Sequence, residues 1–100
     1  MAVLLNAVTT NTVGTGAATA DSTRQLIEIP SDAVFNGAIV TIEGSSVDNA
    51  AKYSGIDRIA TLTSAGNGPI IELPIGHFVR AVLTNAGSAT NVTVNMLAID

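Results

Sequence analysis

Apolar and polar side chains alternate along several short stretches of this chain. In one stretch Ala38, Val40 and Ile42 share one parity, while Thr41 and Glu43 share the other. Successive side chains of a β-strand point to opposite faces of a sheet, so this period of two predicts a strand with one buried face. The composition agrees, because 32 of the 100 residues are Val, Ile or Thr, the β-branched types that favour strands.

Clusters of Gly, Pro, Asn and Ser, among them Gly66–Pro69, interrupt the chain at short intervals and predict turns between strands. The runs between them predict strands over Val3–Val8, Thr23–Ile29, Ala38–Glu43, Ile56–Thr63, Ile70–Leu73, Phe78–Thr84 and Asn91–Ile99, with a further extended stretch over Thr12–Ala20. Seven to eight short strands predict an all-β fold, a sandwich of two antiparallel sheets. Jelly-roll and Ig-like topologies both fit this pattern.

The whole chain, residues 1–100, is predicted to form one domain. Residues 1–20 are predicted to be an extended N-terminal strand or an arm that reaches a neighbour, because Thr9–Ala20 is rich in Thr, Ala and Gly. Ser46–Tyr53 has the composition for one or two helical turns and is interpreted as a loop. The core is thin, since 15 of the 47 hydrophobic residues are Ala, so a partner subunit would add stability.

Two of the predicted strands are apolar on both faces. Leu26 shares the parity of the charged Arg24 and Glu28, and Phe78 and Val82 lie opposite further apolar residues of their own strand. Strands of this kind are either central in a sandwich or covered by another subunit. The residues predicted to contact a neighbouring subunit are Val3, Leu5, Val8, Val13, Leu26, Phe78, Arg80 and Val82.

The composition argues against several classes of function. The formal charge is −4 and the four Lys and Arg residues are dispersed, whereas nucleic-acid binding needs clustered cations. There is no Cys to form a disulfide or a thiolate nucleophile. Met1–Leu5 is too short for a signal peptide, and no stretch approaches the ~20 apolar residues of a membrane helix. We expect neither nucleic acid nor membrane as a partner.

Few residues suggest catalytic or metal chemistry. His77 is the single histidine, and no motif beside it supplies the nucleophile or carboxylate that acid–base catalysis needs. Glu43, Asp48 and Asp57 flank one loop, but their spacing matches no calcium motif, so a solvated loop is favoured over an oxygen-only Ca²⁺ site. The sequence therefore predicts no enzyme activity, no cofactor and no metal.

Two arginines fall within predicted strands. Arg58 and Arg80 either pair with an acid across the sheet, such as Glu43 or Glu72, or face a neighbouring subunit. Pairing within the chain is the favoured alternative, and both alternatives are structural.

Three segments carry a resemblance to a known class of proteins. They are Val34–Ser45 (VFNGAIVTIEGS), Leu73–Val82 (LPIGHFVRAV) and Thr90–Val94 (TNVTV). They contain, in this order, a strand ending in Glu-Gly-Ser, a Pro-containing turn followed by an aromatic residue and Val-Arg-Ala, and a closing Val-Thr-Val strand. In this respect the chain resembles small β-sandwich virion proteins of tailed bacteriophages over residues 23–99.

The resemblance implies a non-enzymatic structural virion protein, above all a capsid decoration or cement protein that stabilises the head by bridging capsid subunits. Its implied partners are the major capsid protein or other virion proteins and further copies of itself, with a trimer favoured, and its implied location is the virion. The alternative is a carbohydrate-binding or host-attachment module of a phage fibre or tail. That alternative would place a loop-end site at Tyr53 and Asp48, although Ser46–Asn49 stands where relatives often have an Asp-Gly turn before an aromatic residue.

Overall fold

The computed structural model describes residues 2–55 and 61–99. Within them the structure is all-β, apart from one short 3₁₀ turn, η1, at Ala50–Lys52. The strands are β1 (Ala2–Val8), β2 (Thr12–Val13), β3 (Ala17–Ala18), β4 (Arg24–Ile29), β5 (Ile39–Ser45), β6 (Ser54–Gly55), β7 (Thr61–Leu62), β8 (Gly66–Glu72), β9 (Phe78–Thr84) and β10 (Val92–Ile99).

The strands form two antiparallel sheets that pack face to face, which confirms the predicted sandwich. Sheet 1 has the order β1-β10-β4-β8, and sheet 2 has the order β2-β9-β5-β6, with β3 also on β9 and β7 also on β5. Because β2 with β3 and β6 with β7 each occupy one strand position, the described residues form eight positions in two groups of four.

The chain crosses repeatedly between the two sheets. Going from β1 to β10, the eight positions belong to sheets 1, 2, 1, 2, 2, 1, 2 and 1 in turn, and the first and last strands pair with each other. This is the strand order of a jelly roll, one of the two topologies that the sequence left open.

The core lies between the sheets and is built from one parity of each strand. In β4 the pattern buries Ile27 and Ile29 and leaves Leu26 half-buried on the outer face. The alternation predicted for β5 and for Phe78–Thr84 is likewise present, and β5 and β9 pair along their whole length. The core therefore consists mainly of aliphatic side chains, with Phe35 as the aromatic residue among its buried members.

The N-terminal residues lie against their own chain as edge strands. β1 pairs with β10, while β2 and β3 pair with β9. Between β2 and β3 the amide of Gly14 donates to the carbonyl of Ala81 at 2.8 Å. In the part of residues 1–20 that the structure describes, the chain is thus extended strand paired with its own sheets, and the arm that reaches a neighbour stays a prediction.

The turn predicted at Gly66–Pro69 is wrong. These residues begin β8, which pairs with β4 from Gly66 onward through a register shift between Leu26 and Glu28. The pairing overrides the turn propensity, because β8 lies at the edge of sheet 1, where a bulge and a proline are tolerated. Ile56–Thr63, also predicted as a strand, lies outside the described residues at 56–60 and is β7 at 61–62.

Ser46–Tyr53 is a loop, as predicted, and η1 is its one turn of helix. Asn49 begins this turn, and its side-chain oxygen accepts the amide of Ala51 at 3.0 Å, which satisfies one of the free donors at a helix start. Within 2–55 and 61–99, no helix has the length and the hydrophobicity needed to cross a membrane.

Candidate interaction surfaces

The outer face of sheet 1 carries a row of apolar side chains. In the strand register Leu97 of β10 lies beside Leu26 of β4, and Leu26 lies beside Ile70 of β8. Ile70 is 43% exposed, and Val3 on the neighbouring β1 is 50% exposed. With Ile99, which is half-buried, these residues form what we call the sheet-1 patch: Val3, Leu26, Ile70, Leu97 and Ile99.

This patch has the features of a contact surface. Isolated exposed apolar residues are ordinary, whereas a continuous group across neighbouring strands indicates a site of association. Leu26 and Val3 were predicted from the sequence, but Ile70, Leu97 and Ile99 were not. Their parity was readable from the sequence, but their alignment in one row depends on strand pairing between distant segments.

The outer face of sheet 2 holds a polar cluster instead. Arg80 of β9 donates through Nε to Oε1 of Glu43 on β5 at 2.7 Å, and both side chains are mostly buried. The Arg80 guanidinium also lies 4.3 Å from the centre of the Tyr53 ring. The predicted pairing of Arg80 with Glu43 is thus confirmed, whereas Arg58 lies outside the described residues.

Tyr53 links the loop of residues 46–53 to the outer face of sheet 2. Its hydroxyl donates to Oδ1 of Asp48 at 2.8 Å. Gly16, between β2 and β3, passes so close that a Cβ there would lie 2.0 Å from the Tyr53 hydroxyl. One face of the Tyr53 ring is therefore occupied by Arg80, and that face is not open to stacking on a sugar.

The pKa of Tyr53 is raised from 10.0 to about 12, first by partial burial of the phenol and then by the hydrogen bond and charge of Asp48, with Arg80 acting in the opposite direction. The folded chain thus holds the phenol proton more tightly than the unfolded chain. The raised pKa of Tyr53 therefore contributes to the free energy of unfolding. This contribution is complete below pH 10 and is lost as pH rises towards about 12.

We expect an ultraviolet titration of the native protein to show phenolate absorbance rising near pH 12, and titration in urea to show it near pH 10. The signal is clean, because the chain has one Tyr and no Trp. Asp48→Asn should lower the native pKa but leave it above 10, since burial remains. A native midpoint equal to that in urea would contradict the tyrosine–aspartate contact.

The predicted contact residues lie at several places. Phe78, Arg80 and Val82 share the outer face of sheet 2, and Val13 is 62% exposed at its edge. Val8 is half-buried and packs against the core.

The prediction that Leu5 contacts a neighbouring subunit is wrong, because Leu5 is 3% exposed and belongs to the core. A register shift between Val3 and Leu5 changes the parity of β1, so that Leu4 and Leu5 both point inward.

His77 and the acidic residues do not converge on one site. His77 is half-buried before β9, and its carbonyl accepts the amide of Thr19 at 2.8 Å. Glu43 and Asp48 are engaged by Arg80 and Tyr53, and Asp57 lies outside the described residues. Among the residues that the structure describes, no three His, Asp or Glu side chains are grouped closely enough to hold a metal ion.

Together the fold and these surfaces define the chain as a two-sheet β-sandwich with apolar residues on its outer faces. Comparison with protein-family models, with curated proteins and with solved structures gave no match to it.

Proposed function

We propose that this protein is a non-enzymatic structural component of a phage particle, a capsid decoration or cement protein that stabilises the head by bridging capsid subunits. The observation that carries the proposal is the sheet-1 patch, an apolar row on a face that the single chain leaves uncovered. The resemblance to small virion proteins supplies the kind of assembly.

The proposed mechanism is burial of surface. Apolar area removed from water contributes about 25 cal/mol per Å², so a protein can stabilise a larger assembly by contact alone. A small sandwich with an aliphatic core gains from such contacts in return, because binding to the folded state adds to its stability. The outer face of sheet 2, with Phe78 and Val82 half-buried beside the Arg80–Glu43 pair, offers a second surface for a different subunit.

Heads purified without this protein, from the phage that encodes the chain, provide the direct test. We expect the wild-type protein to co-sediment with them and to raise the temperature at which they release DNA. Leu26→Asp on sheet 1 or Val82→Asp on sheet 2 should weaken binding about 10-fold or more, because a carboxylate would be buried unpaired.

The matched control is Ile75→Asp, which adds the same charge at a turn residue that is 59% exposed. It should bind heads as the wild type does. The proposal is rejected if the wild-type protein does not bind heads, or if both face variants bind as well as the control.

A further inference from the structure

The outer face of β4 carries opposite charges on either side of its apolar centre. Arg24, Leu26 and Glu28 occupy alternate positions on that face, so the strand presents a cation, an apolar residue and an anion in order. Arg24 is exposed and Glu28 is half-buried. Glu28 also accepts a hydrogen bond from Nδ2 of Asn95 on β10 at 3.2 Å, which fixes the carboxylate at its end of the face.

This order is complementary to itself when the strand is reversed. Two sheets pack with their faces about 10 Å apart and their strands roughly aligned. Consider a twofold axis that lies in the plane between the two faces and runs perpendicular to β4 at Leu26. It makes the two β4 strands antiparallel, so that Arg24 of each copy faces Glu28 of the other. A twofold axis along β4 would instead place like charges opposite each other, which is unfavourable.

We propose that the outer face of sheet 1 binds the same face of a second copy of this chain, about a twofold axis that crosses β4 at Leu26. In this arrangement Leu26, Leu97 and Ile70 each meet their own counterpart, since all three lie in one row across the sheet. The apolar row forms the centre of the interface, and two Arg24–Glu28 pairs flank it.

The size of the face sets the strength of this pairing. Four strands at about 4.8 Å spacing and seven residues at about 3.3 Å give roughly 450 Å² in projection. A stable interface buries about 800 Å² per partner, so we expect a weak, concentration-dependent dimer. Its biological use rests on the proposed structural role, in which the particle supplies a high local concentration and sheet 2 is left for a different subunit.

The test is a charge exchange measured by sedimentation equilibrium, from about 10 µM to about 1 mM protein in about 0.1 M salt, where long-range repulsion between acidic chains is screened. Arg24→Glu and Glu28→Arg should each weaken the dimer about 10-fold or more, because like charges then face each other. The double variant Arg24→Glu/Glu28→Arg restores both pairs between copies but places a second carboxylate beside Glu72 of its own sheet, so its dissociation constant should lie closer to that of the wild type than to that of either single variant.

Lys52→Glu is the matched control, a charge reversal at an exposed residue of η1 that lies off sheet 1, and it should leave the dimer unchanged. Thermal melts verify that each variant is folded. A wild-type monomer over the whole range, a trimer, or a double variant as weak as the single ones would each overturn the inference. Head binding by a wild-type protein that stays monomeric over this range would reject the pairing alone, whereas pairing without head binding would reject only the proposed function.

Discussion

Replacing Ile27 with Ala is expected to lower the free energy of unfolding by about 3 kcal/mol, because it removes three buried carbon atoms and leaves a cavity between the sheets. Ile27 is fully buried, and its neighbours across the sandwich are β-strand side chains that cannot collapse freely into the space. Urea unfolding followed by circular dichroism measures the change. The slope of the transition should stay the same, since the unfolded chain exposes nearly the same surface.

Leu26→Ala is the matched control one residue earlier on the same strand. Leu26 is half-buried on the outer face, so its loss should cost about 1 kcal/mol or less when the protein is dilute enough to be monomeric. At high protein concentration the same variant should lose the stabilisation that pairing provides. Equal costs for the two substitutions in dilute protein would show that the inward and outward faces of β4 have been assigned wrongly.

Gly14→Ala is expected to destabilise the fold by about 3 kcal/mol, although alanine adds only a methyl group. That group would lie 2.3 Å from the carbonyl oxygen of Leu4 and 2.8 Å from that of Ala81. Both obstacles are backbone atoms, of β1 in sheet 1 and β9 in sheet 2, so relief requires one strand to move. The movement would also disturb the hydrogen bond from the Gly14 amide to Ala81.

Thr15→Ala tests whether the segment is merely sensitive to any change. Thr15 is exposed, and its truncation should alter the unfolding free energy by about 0.5 kcal/mol or less. The close approach at Gly14 would be disproved by a Gly14→Ala variant that unfolds at the same urea concentration as Thr15→Ala.

The strands and the sandwich were predictable because they depend on local pattern. Phe78–Thr84 was predicted with its observed bounds, and its alternation between inner and outer faces is present. A period of two in residues of high strand propensity contains enough information for this. The topology was not predictable to the same degree, because pairing such as that of β1 with β10 joins segments at opposite ends of the sequence.

The errors arose where tertiary structure overrides a local signal. Leu5 was predicted to face a neighbour from simple alternation, but a bulge in β1 turns it into the core. Gly66–Pro69 has the composition of a turn, yet it is held as strand by β4. In β1 the first register shift displaces the alternation by one residue, whereas at Gly66–Pro69 pairing with β4 overrides a local turn propensity.

The candidate surfaces were predictable only in part. Leu26 was identified because an apolar residue between Arg24 and Glu28 is conspicuous in the sequence alone. Ile70 and Leu97 became part of the same surface only through the strand register. The close approach of Gly16 to the Tyr53 hydroxyl likewise joins distant segments, and no local sequence pattern predicts it.

The irregular borders of sheet 1 have a consequence for how copies of this chain meet. β1 has two register shifts and a left-handed backbone at Ala7, and β8 contains Pro69, which has no amide to donate. Interrupted borders are poor templates for lateral strand addition, the route by which β-rich chains polymerise into fibrils. If copies pair through sheet 1 as proposed, these borders would disfavour lateral addition at that sheet, so that growth would stop at a finite assembly instead of continuing as a fibre.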